Sequence, residues 1–347
     1  MLRKYLVSPS KTVRETISYM EENGLKAVLI TTSDNVLLGL FSLGDIRHFF
    51  LRNGKLSSSI TEAMNADPIV FSSLSEAEIR RKSKKLTIYP IVDEKRRIIN
   101  VIDPNSTVSG AGAGSLLGTV PVVIMAGGKG TRLYPYTKIL PKALIPIGEY
   151  TITERIISSF QQYGCKSFYM ILNHRASIIK SYFNEIEKNY EMVFEEEKEF
   201  LGTGGGLALL KGKIKCTFFL SNCDILINAD LERIYKMHKQ EKNKITFVCA
   251  MKDMAIPYGV IQADADGKVI EIKEKPEISF LANTGVYLIE PEVIDGLDEK
   301  EFIHLPDIAQ RYLARGERIG VFPISDKLWL DMGQFNEMES MMNQLGV

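Results

Sequence analysis

The sequence predicts a doubly wound α/β fold with a mixed, mainly parallel sheet, preceded by a smaller α+β region. After residue 118, short apolar runs alternate with helical segments, which is typical of βαβ units. Before residue 106, helical segments flank pairs of short apolar runs. The length of 347 residues exceeds that of one typical domain, so we expect two domains.

The composition excludes several classes of protein. Lys plus Arg and Asp plus Glu each number 43, and this balance does not indicate a nucleic-acid partner. The N-terminus lacks the apolar core of a signal peptide, and no apolar run is long enough to span a membrane. The four cysteines show no CxxC spacing, so we expect reduced cysteines, no structural zinc and a cytoplasmic location.

The first hundred residues contain an approximate repeat of helix, strand, strand and helix. In the first unit, we predict a helix at 13–22 and strands at 27–30 and 36–41, with a second helix after Ser42. The second unit repeats the order, with a helix from Ser75 and strands at 88–92 and 98–102.

The residues GLFSLGDI at 39–46 lead from the second strand of the first unit into the following helix. Repeated units with this turn resemble a pair of CBS domains, which often bind adenine nucleotides and often dimerise. The resemblance implies that Asp45, three residues after Ser42, contacts ribose hydroxyls. Asp45 is equally suited to cap the following helix. The second unit ends at 102–104 without a matching turn, which leaves open whether the pair binds a ligand or serves in homo-oligomer assembly.

A run of small, uncharged residues separates the two regions. Its GAGAG segment lacks the spacing of a dinucleotide-binding loop, and its composition is typical of a flexible linker. We therefore predict a CBS-domain pair at 1–105, a linker at 106–118 and a second domain at 119–347.

Beyond the linker, strands and helices alternate. Ligands of doubly wound sheets bind beyond the carboxyl ends of the strands, so the residues that follow each strand are the candidates for the site. The predicted strands are 121–126, 167–172, 216–221 and 245–250, and the predicted helices are 151–163, 175–188 and 230–242.

The loop at 127–146, GGKGTRLYPYTKILPKALIP, follows the first of these strands. Its glycines and Thr131 allow a tight turn close to a ligand, and Arg132 and Lys142 supply positive charge for phosphates. A P-loop is excluded because Lys129 precedes a glycine, and a dinucleotide loop is excluded because Leu133 occupies the third glycine position. The glycines of this candidate phosphate site are Gly127, Gly128 and Gly130.

The pattern GGxGTRLxPxT followed by PKxLxP resembles the signature of the sugar-1-phosphate nucleotidylyltransferases. The resemblance implies a Rossmann-like, GT-A-like domain that joins an NTP to a sugar 1-phosphate and releases pyrophosphate. It implies that Arg132 holds the triphosphate and Lys142 the α- and sugar phosphates. The attacking phosphate needs no general base, which agrees with four histidines that lie outside any motif.

Two aspartates follow predicted strands, Asp224 after 216–221 and Asp331 within LWLDMG. Carboxylates are ligands that Mg²⁺ combines with substrate phosphates and water. Either aspartate by itself is more commonly a turn or cap residue. The family resemblance implies that the two together hold Mg²⁺.

The resemblance also implies a sugar-binding region. Glu274 and Lys275 follow a predicted strand at 269–273, which pairs through the turn at 264–267 with residues 258–261. In the family the Glu holds sugar hydroxyls and the Lys the sugar phosphate. Three further positions match elements that line the sugar pocket: Gly259, Asn283 and Thr284.

The segment LGTGG, which includes Gly202 and Thr203, opens a predicted helix after an acidic run. Glycine there allows backbone contact with a flat base. Glu197 offers two acceptors for the N1–H and N2–H₂ donors of guanine, a pair that other bases lack. The acidic run could equally form a solvated face.

Three functions follow from these features. The combination of both regions is similar to the glucosamine-1-phosphate guanylyltransferases of legionaminic acid biosynthesis, with GTP as the expected nucleotide. A mannose- or heptose-1-phosphate guanylyltransferase is the first alternative. The second is a non-catalytic regulatory protein that senses nucleotide through its CBS pair, although such a protein would be expected to lose a metal aspartate or a phosphate-binding cation.

Overall fold

The computed structural model describes residues 2–52, 54–73, 76–77, 86–103 and 116–346. The chain forms two compact units, which are described separately. The N-terminal unit comprises residues 1–112 together with 251–281, and the C-terminal unit comprises 113–250 together with 282–347. The predicted linker falls largely outside the described residues, and so does most of the helix predicted from Ser75.

The N-terminal unit is built around a three-stranded sheet. Leu6–Val7 pairs in parallel with Ala27–Thr31, which pairs in an antiparallel manner with Leu37–Ser42. The helix Val13–Glu22 matches its predicted bounds. It starts at Thr12, whose side chain accepts a hydrogen bond from the Glu15 N–H while the Glu15 carboxylate accepts from the Thr12 N–H.

The other elements of this unit are short. Tyr89–Val92 and Ile98–Ile102 form the antiparallel pair predicted for the second CBS unit. Two further helices and a 3₁₀ turn complete the described N-terminal elements: Leu43–Leu51, Ile60–Ala63 and Leu2–Tyr5.

Residues 251–281 pack within the N-terminal unit although they come late in the chain. Val260–Ala263 pairs with Val269–Lys273 in an antiparallel hairpin, as the turn at 264–267 predicts. Asp253, whose side chain is 6% exposed, forms an ion pair with Arg14. The Leu56 N–H donates to the Ser279 hydroxyl over 3.2 Å. Long-range polar contacts therefore tie the segments on either side of the hairpin to the rest of this unit.

The C-terminal unit contains a mixed sheet of seven strands. The first four strands are parallel to their neighbours, and the fifth is antiparallel to the fourth. This confirms the predicted fold class. In spatial order the strands are Glu191–Glu196, Ser167–Leu172, Val122–Ala126, Phe218–Asn222, Glu277–Ile289, Ile245–Ala255 and Ile319–Ser325.

Helices and short ribbons complete this unit. The α-helices are Ile152–Gln161, Ala176–Glu185, Leu231–Glu241, Glu292–Asp295, Leu305–Ala314 and Phe335–Leu345. The 3₁₀ turns are Thr131–Leu133, Tyr136–Lys138, Lys142–Leu144, Gly205–Leu210 and Asp326–Leu328. The two-stranded ribbons are Pro146–Ile147 with Tyr150–Thr151, and Ile225–Ile227 with Trp329–Asp331.

A polar network lies at the end of the sheet where the strand Phe218–Asn222 begins. One Glu290 oxygen lies 3.0 Å from the Thr217 hydroxyl, 3.1 Å from His238 Nε2 and 2.7 Å from Lys239 Nζ. Burial by itself would raise the pKa of Glu290, but these hydrogen bonds and the Lys239 charge outweigh it and lower the pKa to about 2.

We expect Glu290→Gln to lower the free energy of unfolding of the C-terminal unit at pH 7 by about 2 kcal/mol. A lowered carboxyl pKa contributes stability above its ordinary value of 4.5, and this stability is lost as the pH falls toward about 2. The difference between the two proteins should therefore shrink at pH 3. Urea unfolding, followed by the fluorescence of Trp329, measures it.

Glu292→Gln is the matched control for this experiment. The Glu292 side chain is 61% exposed and lies 3.8 Å from Lys244 Nζ, so its replacement should leave stability unchanged. An equal loss from Glu290→Gln at pH 7 and pH 3 would contradict the assigned role of the charge.

Candidate active site

The glycine-rich loop leaves the buried strand Val122–Ala126 at the carboxyl edge of the sheet. Gly130 has φ of +64°, and a Cβ there would lie 2.8 Å from the Thr137 Cγ2 atom. The Thr137 hydroxyl donates to the Gly130 carbonyl over 3.0 Å. At Gly128, by contrast, a Cβ would meet no described atom within 4 Å. The loop therefore needs glycine at 130 for its own conformation and leaves open space at 128.

The cations and aspartates predicted for the site meet in this unit. Lys142 forms an ion pair with Asp224, and both side chains are only 12–13% exposed. An Arg132 guanidinium nitrogen lies 3.4 Å from the position a Cβ would take at Gly333, two residues after Asp331. Residues separated by about two hundred positions in the sequence thus converge beyond the carboxyl ends of the strands.

A short ribbon brings the two aspartates together. Its strands pair Ile225 with Asp331, and the Met332 N–H donates to the Asp224 carbonyl over 2.9 Å. Burial raises the pKa of Asp331 to about 6, assisted by the negative charges of Asp224 and Glu337. The Gly333 N–H, 2.6 Å from Asp331 Oδ1, acts in the opposite direction. The negative charges of Asp224 and Glu337 thus oppose ionisation of Asp331.

This donor set fits a magnesium ion that shares its ligands with substrate. Among the described residues, no three His, Cys, Asp or Glu side chains form a group able to hold a metal by themselves. Mg²⁺ in phosphate-transfer sites is commonly held by one or two carboxylates, with substrate phosphates and water as the remaining ligands. The neighbouring carboxylates of Asp224 and Asp331 match that requirement.

Glu197 lies in a second part of this unit, just after the strand Glu191–Glu196. The residue is 3% exposed, so it is not part of a solvated face. A Cβ on Gly127 would lie 2.8 Å from one carboxylate oxygen, and a Cβ on Gly206 would lie 2.4 Å from the other. Burial raises the pKa of Glu197 to about 7, and the Leu201 N–H lowers it by a smaller amount.

The LGTGG segment packs against the residues that lead into the helix Leu305–Ala314. Gly202 has φ of +83°, and a Cβ there would lie 2.6 Å from the Ile303 carbonyl oxygen. The Thr203 hydroxyl lies 3.2 Å from His304 Nδ1. The helix that follows this segment is the 3₁₀ helix Gly205–Leu210.

Asn283 and Thr284 lie inside the strand Glu277–Ile289. The Thr284 hydroxyl donates to the Val248 carbonyl over 2.8 Å, which ties together neighbouring strands. The Asn283 amide donates to the Tyr287 hydroxyl over 2.8 Å. Both side chains therefore have partners within the C-terminal unit.

The remaining predicted sugar-binding residues belong to the N-terminal unit. A Cβ on Gly259 would lie 3.0 Å from a Glu274 carboxylate oxygen, so these two residues are neighbours. Lys275 has φ of +43°, an unusual backbone conformation for a residue with a side chain. In the same unit, Asp45 accepts hydrogen bonds from the Ser42 N–H at 2.8 Å and the Ser42 hydroxyl at 2.6 Å, as a helix cap does.

Sequence reasoning missed three residues near the site. Glu337, from the helix Phe335–Leu345, has a buried oxygen without a hydrogen-bond partner among the described residues and lies beside Gly333. Arg175 braces the glycine-rich loop by donating to the carbonyls of Lys138 and Ile139. His304 contacts Thr203. These residues lack a motif, and the contacts that place them are distant in sequence.

Comparison with known proteins decides the family. A family model described as nucleotidyl transferase matches residues 121–346. The chain belongs to this family. A model of the CBS domain matches residues 1–52, which covers the first of the two predicted CBS units.

Curated relatives of this nucleotidyl transferase carry several specificities. The chain is 31% identical over 219 residues to the bifunctional protein GlmU of Methanococcus aeolicus. It is 31% identical over 192 residues to a UTP–glucose-1-phosphate uridylyltransferase of Synechocystis. It is 28% identical over 239 residues to the mannose-1-phosphate guanylyltransferase catalytic subunit beta of Drosophila pseudoobscura pseudoobscura.

These matches cover 61%, 50% and 67% of this nucleotidyl transferase, and 51%, 50% and 62% of the relatives. The chain thus spans about half to three fifths of their length. The predicted resemblance to the sugar-1-phosphate nucleotidylyltransferases is confirmed at the level of the family.

Solved structures agree on the fold. HddC from Yersinia pseudotuberculosis has a TM-score of 0.52 at 22% identity, over 65% of this chain and 99% of HddC. A putative glucose-1-phosphate thymidylyltransferase from Bacillus anthracis has a TM-score of 0.51 at 23% identity, over 65% of this chain and 94% of that protein. Among the described residues, no helix is both long and apolar enough to cross a membrane.

We expect Gly130→Ala to destabilise the C-terminal unit by about 1–3 kcal/mol, because it combines a left-handed backbone with a contact against Thr137. Gly128→Ala is the matched control and should leave unfolding unchanged. Urea unfolding followed by Trp329 fluorescence measures both. Equal stability of the two variants would show that the loop does not depend on the conformation of Gly130.

Proposed function

We propose that this nucleotidyl transferase moves a guanylyl group from GTP to a sugar 1-phosphate, giving a GDP-sugar and pyrophosphate. The observation that carries the proposal is the convergence of Arg132, Lys142, Asp224 and Asp331 beside the glycine-rich loop. Cations and a pair of carboxylates at one sheet edge are the groups that phosphoryl chemistry requires.

In this proposal catalysis consists of positioning and charge neutralisation. A sugar-phosphate oxygen attacks the α-phosphorus of GTP in line, and pyrophosphate leaves. Arg132 holds the triphosphate, and Lys142 neutralises the α- and sugar phosphates. The attacking phosphate is already an anion, so no side chain has to remove a proton. The backbone of Gly127, Gly128, Gly130 and Thr131 lies along the nucleotide phosphates.

Asp224 and Asp331 would hold Mg²⁺, and the ion would neutralise phosphate charge in the bound substrates. Two observations support this assignment. The aspartates are neighbours on one ribbon, and their mutual repulsion contributes to the raised pKa of Asp331. The Lys142–Asp224 ion pair further suggests that Lys142 offsets carboxylate charge in the free protein and phosphate charge in the complex.

Glu197 would recognise the guanine base, with Gly202 and Thr203 beside it. An ionised carboxylate accepts both hydrogen bonds that guanine N1–H and N2–H₂ donate. Burial of Glu197 beside Gly127 supports a role at the nucleotide. The mannose-1-phosphate guanylyltransferases among its relatives support this choice. The structure of HddC complexed with GMP-PN, similar in fold, also agrees.

For the sugar, we propose glucosamine 1-phosphate, as in legionaminic acid biosynthesis. Lys275 would hold the sugar phosphate and Glu274 the sugar hydroxyls, with Gly259, Asn283 and Thr284 in the sugar pocket. A mannose- or heptose-type sugar phosphate is the alternative. Because two relatives are mannose-1-phosphate guanylyltransferases, mannose 1-phosphate is the first of these alternatives to test.

The N-terminal unit would bind an adenine nucleotide through Asp45 or assemble the protein into a homo-oligomer. A purely regulatory protein is the competing function. The retained pair of aspartates and the retained cations favour an enzyme, because a non-catalytic relative has no need to keep them.

The experiment that tests the function supplies the purified protein with each of the four NTPs, Mg²⁺ and a panel of sugar 1-phosphates, and measures pyrophosphate. Release should be fastest with GTP and glucosamine 1-phosphate. Release with another NTP would overturn the choice of base, and failure with every combination would overturn the proposed reaction.

We expect Asp224→Asn and Arg132→Ala each to lower turnover by at least about 100-fold, because each removes charge stabilisation from the phosphates. Pyrophosphate release measures turnover, and circular dichroism checks the fold. Lys129→Ala is the matched control in the same loop, since Lys129 is exposed and its position varies in the family pattern. Normal turnover of either site variant would refute the assignment.

A further inference from the structure

Among the described residues, Glu197 is the carboxylate for which both oxygens are buried and neither has a hydrogen-bond partner. The residue is nevertheless 3% exposed. A buried carboxylate without a partner is costly, so the group either binds a proton or waits for donors from a ligand. This observation is independent of the family resemblance.

Backbone contacts hold the residue in place. The Glu197 N–H donates to the Leu172 carbonyl over 2.8 Å, and the Glu197 carbonyl accepts from the Asn173 amide over 3.0 Å. Asn173 is thereby engaged with the main chain of Glu197. The missing side chains of Gly127 and Gly206 leave the space that the carboxylate fills.

Burial is the main cause of the raised pKa of Glu197, and no charge on a described side chain is among its causes. The carboxylate lies beside two residues without side chains: Gly127, which follows the strand Val122–Ala126, and Gly206, which belongs to the 3₁₀ helix. The neighbouring acidic residues have their own partners, since Glu195 pairs with Lys213 and Glu196 with Lys180. The Leu201 N–H does not reach hydrogen-bond geometry with either carboxylate oxygen.

We propose that guanine binding releases a proton from Glu197, so that the protonation state of this side chain selects the base. The inference rests on the proposed nucleotide site. It adds that base recognition is coupled to proton uptake and release.

The hydrogen-bond donors and acceptors of the two protonation states explain why base binding is coupled to proton release. The ionised carboxylate offers two acceptors, which match the two adjacent donors of guanine. The protonated acid offers one donor and one acceptor, which match the N3–H and carbonyl of uracil. When guanine binds, the O–H bond of the acid breaks and the proton passes to the buffer, while the nucleotide keeps all its own protons.

Burial supports protonation of the free site near neutral pH, because it raises the pKa of Glu197 to about 7. The pKa fixes how nucleotide affinity changes with pH. Guanine requires the ionised form, so GTP affinity should rise with pH through this value, by about tenfold between pH 6 and pH 8. UTP affinity should fall over the same interval.

Calorimetry tests the proposal on the full-length protein. GTP and UTP are titrated separately at pH 7, without sugar phosphate, in two buffers of different ionisation enthalpy. Both nucleotides carry the same triphosphate, so the difference between them isolates the base. We expect GTP to release about half a proton and UTP to take up about half a proton, a difference of about one proton between the two nucleotides. An equal proton count for the two nucleotides would overturn the proposal.

Glu197→Gln is the matched variant, since its amide presents one donor and one acceptor at every pH. The extra proton release should vanish, and the preference for GTP over UTP should fall by at least about tenfold and no longer change with pH. Glu195→Gln removes a charge two residues away, at a side chain paired with Lys213, and should behave like the wild type. If Glu197→Gln does not fold, the comparison of GTP with UTP on the wild-type protein still decides whether guanine binding releases a proton.

The outcomes separate this inference from the proposed function. Pyrophosphate release from GTP, with equal proton counts for GTP and UTP, would refute proton coupling and leave the reaction intact. Extra proton release with GTP but no turnover would support the coupling and refute the reaction. Tighter binding of UTP than GTP at pH 8 would refute both the base assignment and the inference.

Discussion

The ion pair between Lys142 and Asp224 is the interaction on which the rest of the site depends. It joins the turn after the glycine-rich loop to the end of the strand Phe218–Asn222. The ribbon that begins at Ile225 then brings Asp331 alongside. Opposite charges that are mostly withdrawn from water attract strongly, so this contact closes the loop over the sheet edge. In the proposed reaction, a substrate phosphate would take the place of the carboxylate as the partner of Lys142.

Carboxylates at the two ends of the same unit have pKa shifts in opposite directions. At the amino-terminal end of the strand Phe218–Asn222, Glu290 has three hydrogen-bond donors around it and a lowered pKa. At the carboxyl end, Glu197 is buried and Asp331 is half-buried, and both have raised pKa values. The first arrangement stabilises the fold. The second leaves carboxylates ready for donors or a cation from a ligand, as expected of a functional site.

Much of the fold could be predicted from local patterns. The strands Ser167–Leu172 and Val269–Lys273 occur at the predicted residues, because their apolar pattern and the flanking turns are local signals. The strand predicted at 245–250 extends to Ala255. Its last five residues, MKDMA, place two charged residues among apolar ones, and Asp253 is held there by Arg14, a contact across more than two hundred residues.

The sequence by itself determined which groups form the candidate site: the glycine-rich loop, the cations Arg132 and Lys142, and two aspartates after strands. These groups follow from spacing along short segments. Only the tertiary structure decided that Glu197 is buried without partners, that Glu337 joins the aspartates, and that residues 251–281 pack with the N-terminal unit. The reason is physical, since burial and charge pairing depend on residues far apart in the chain, and no local pattern encodes which of them meet.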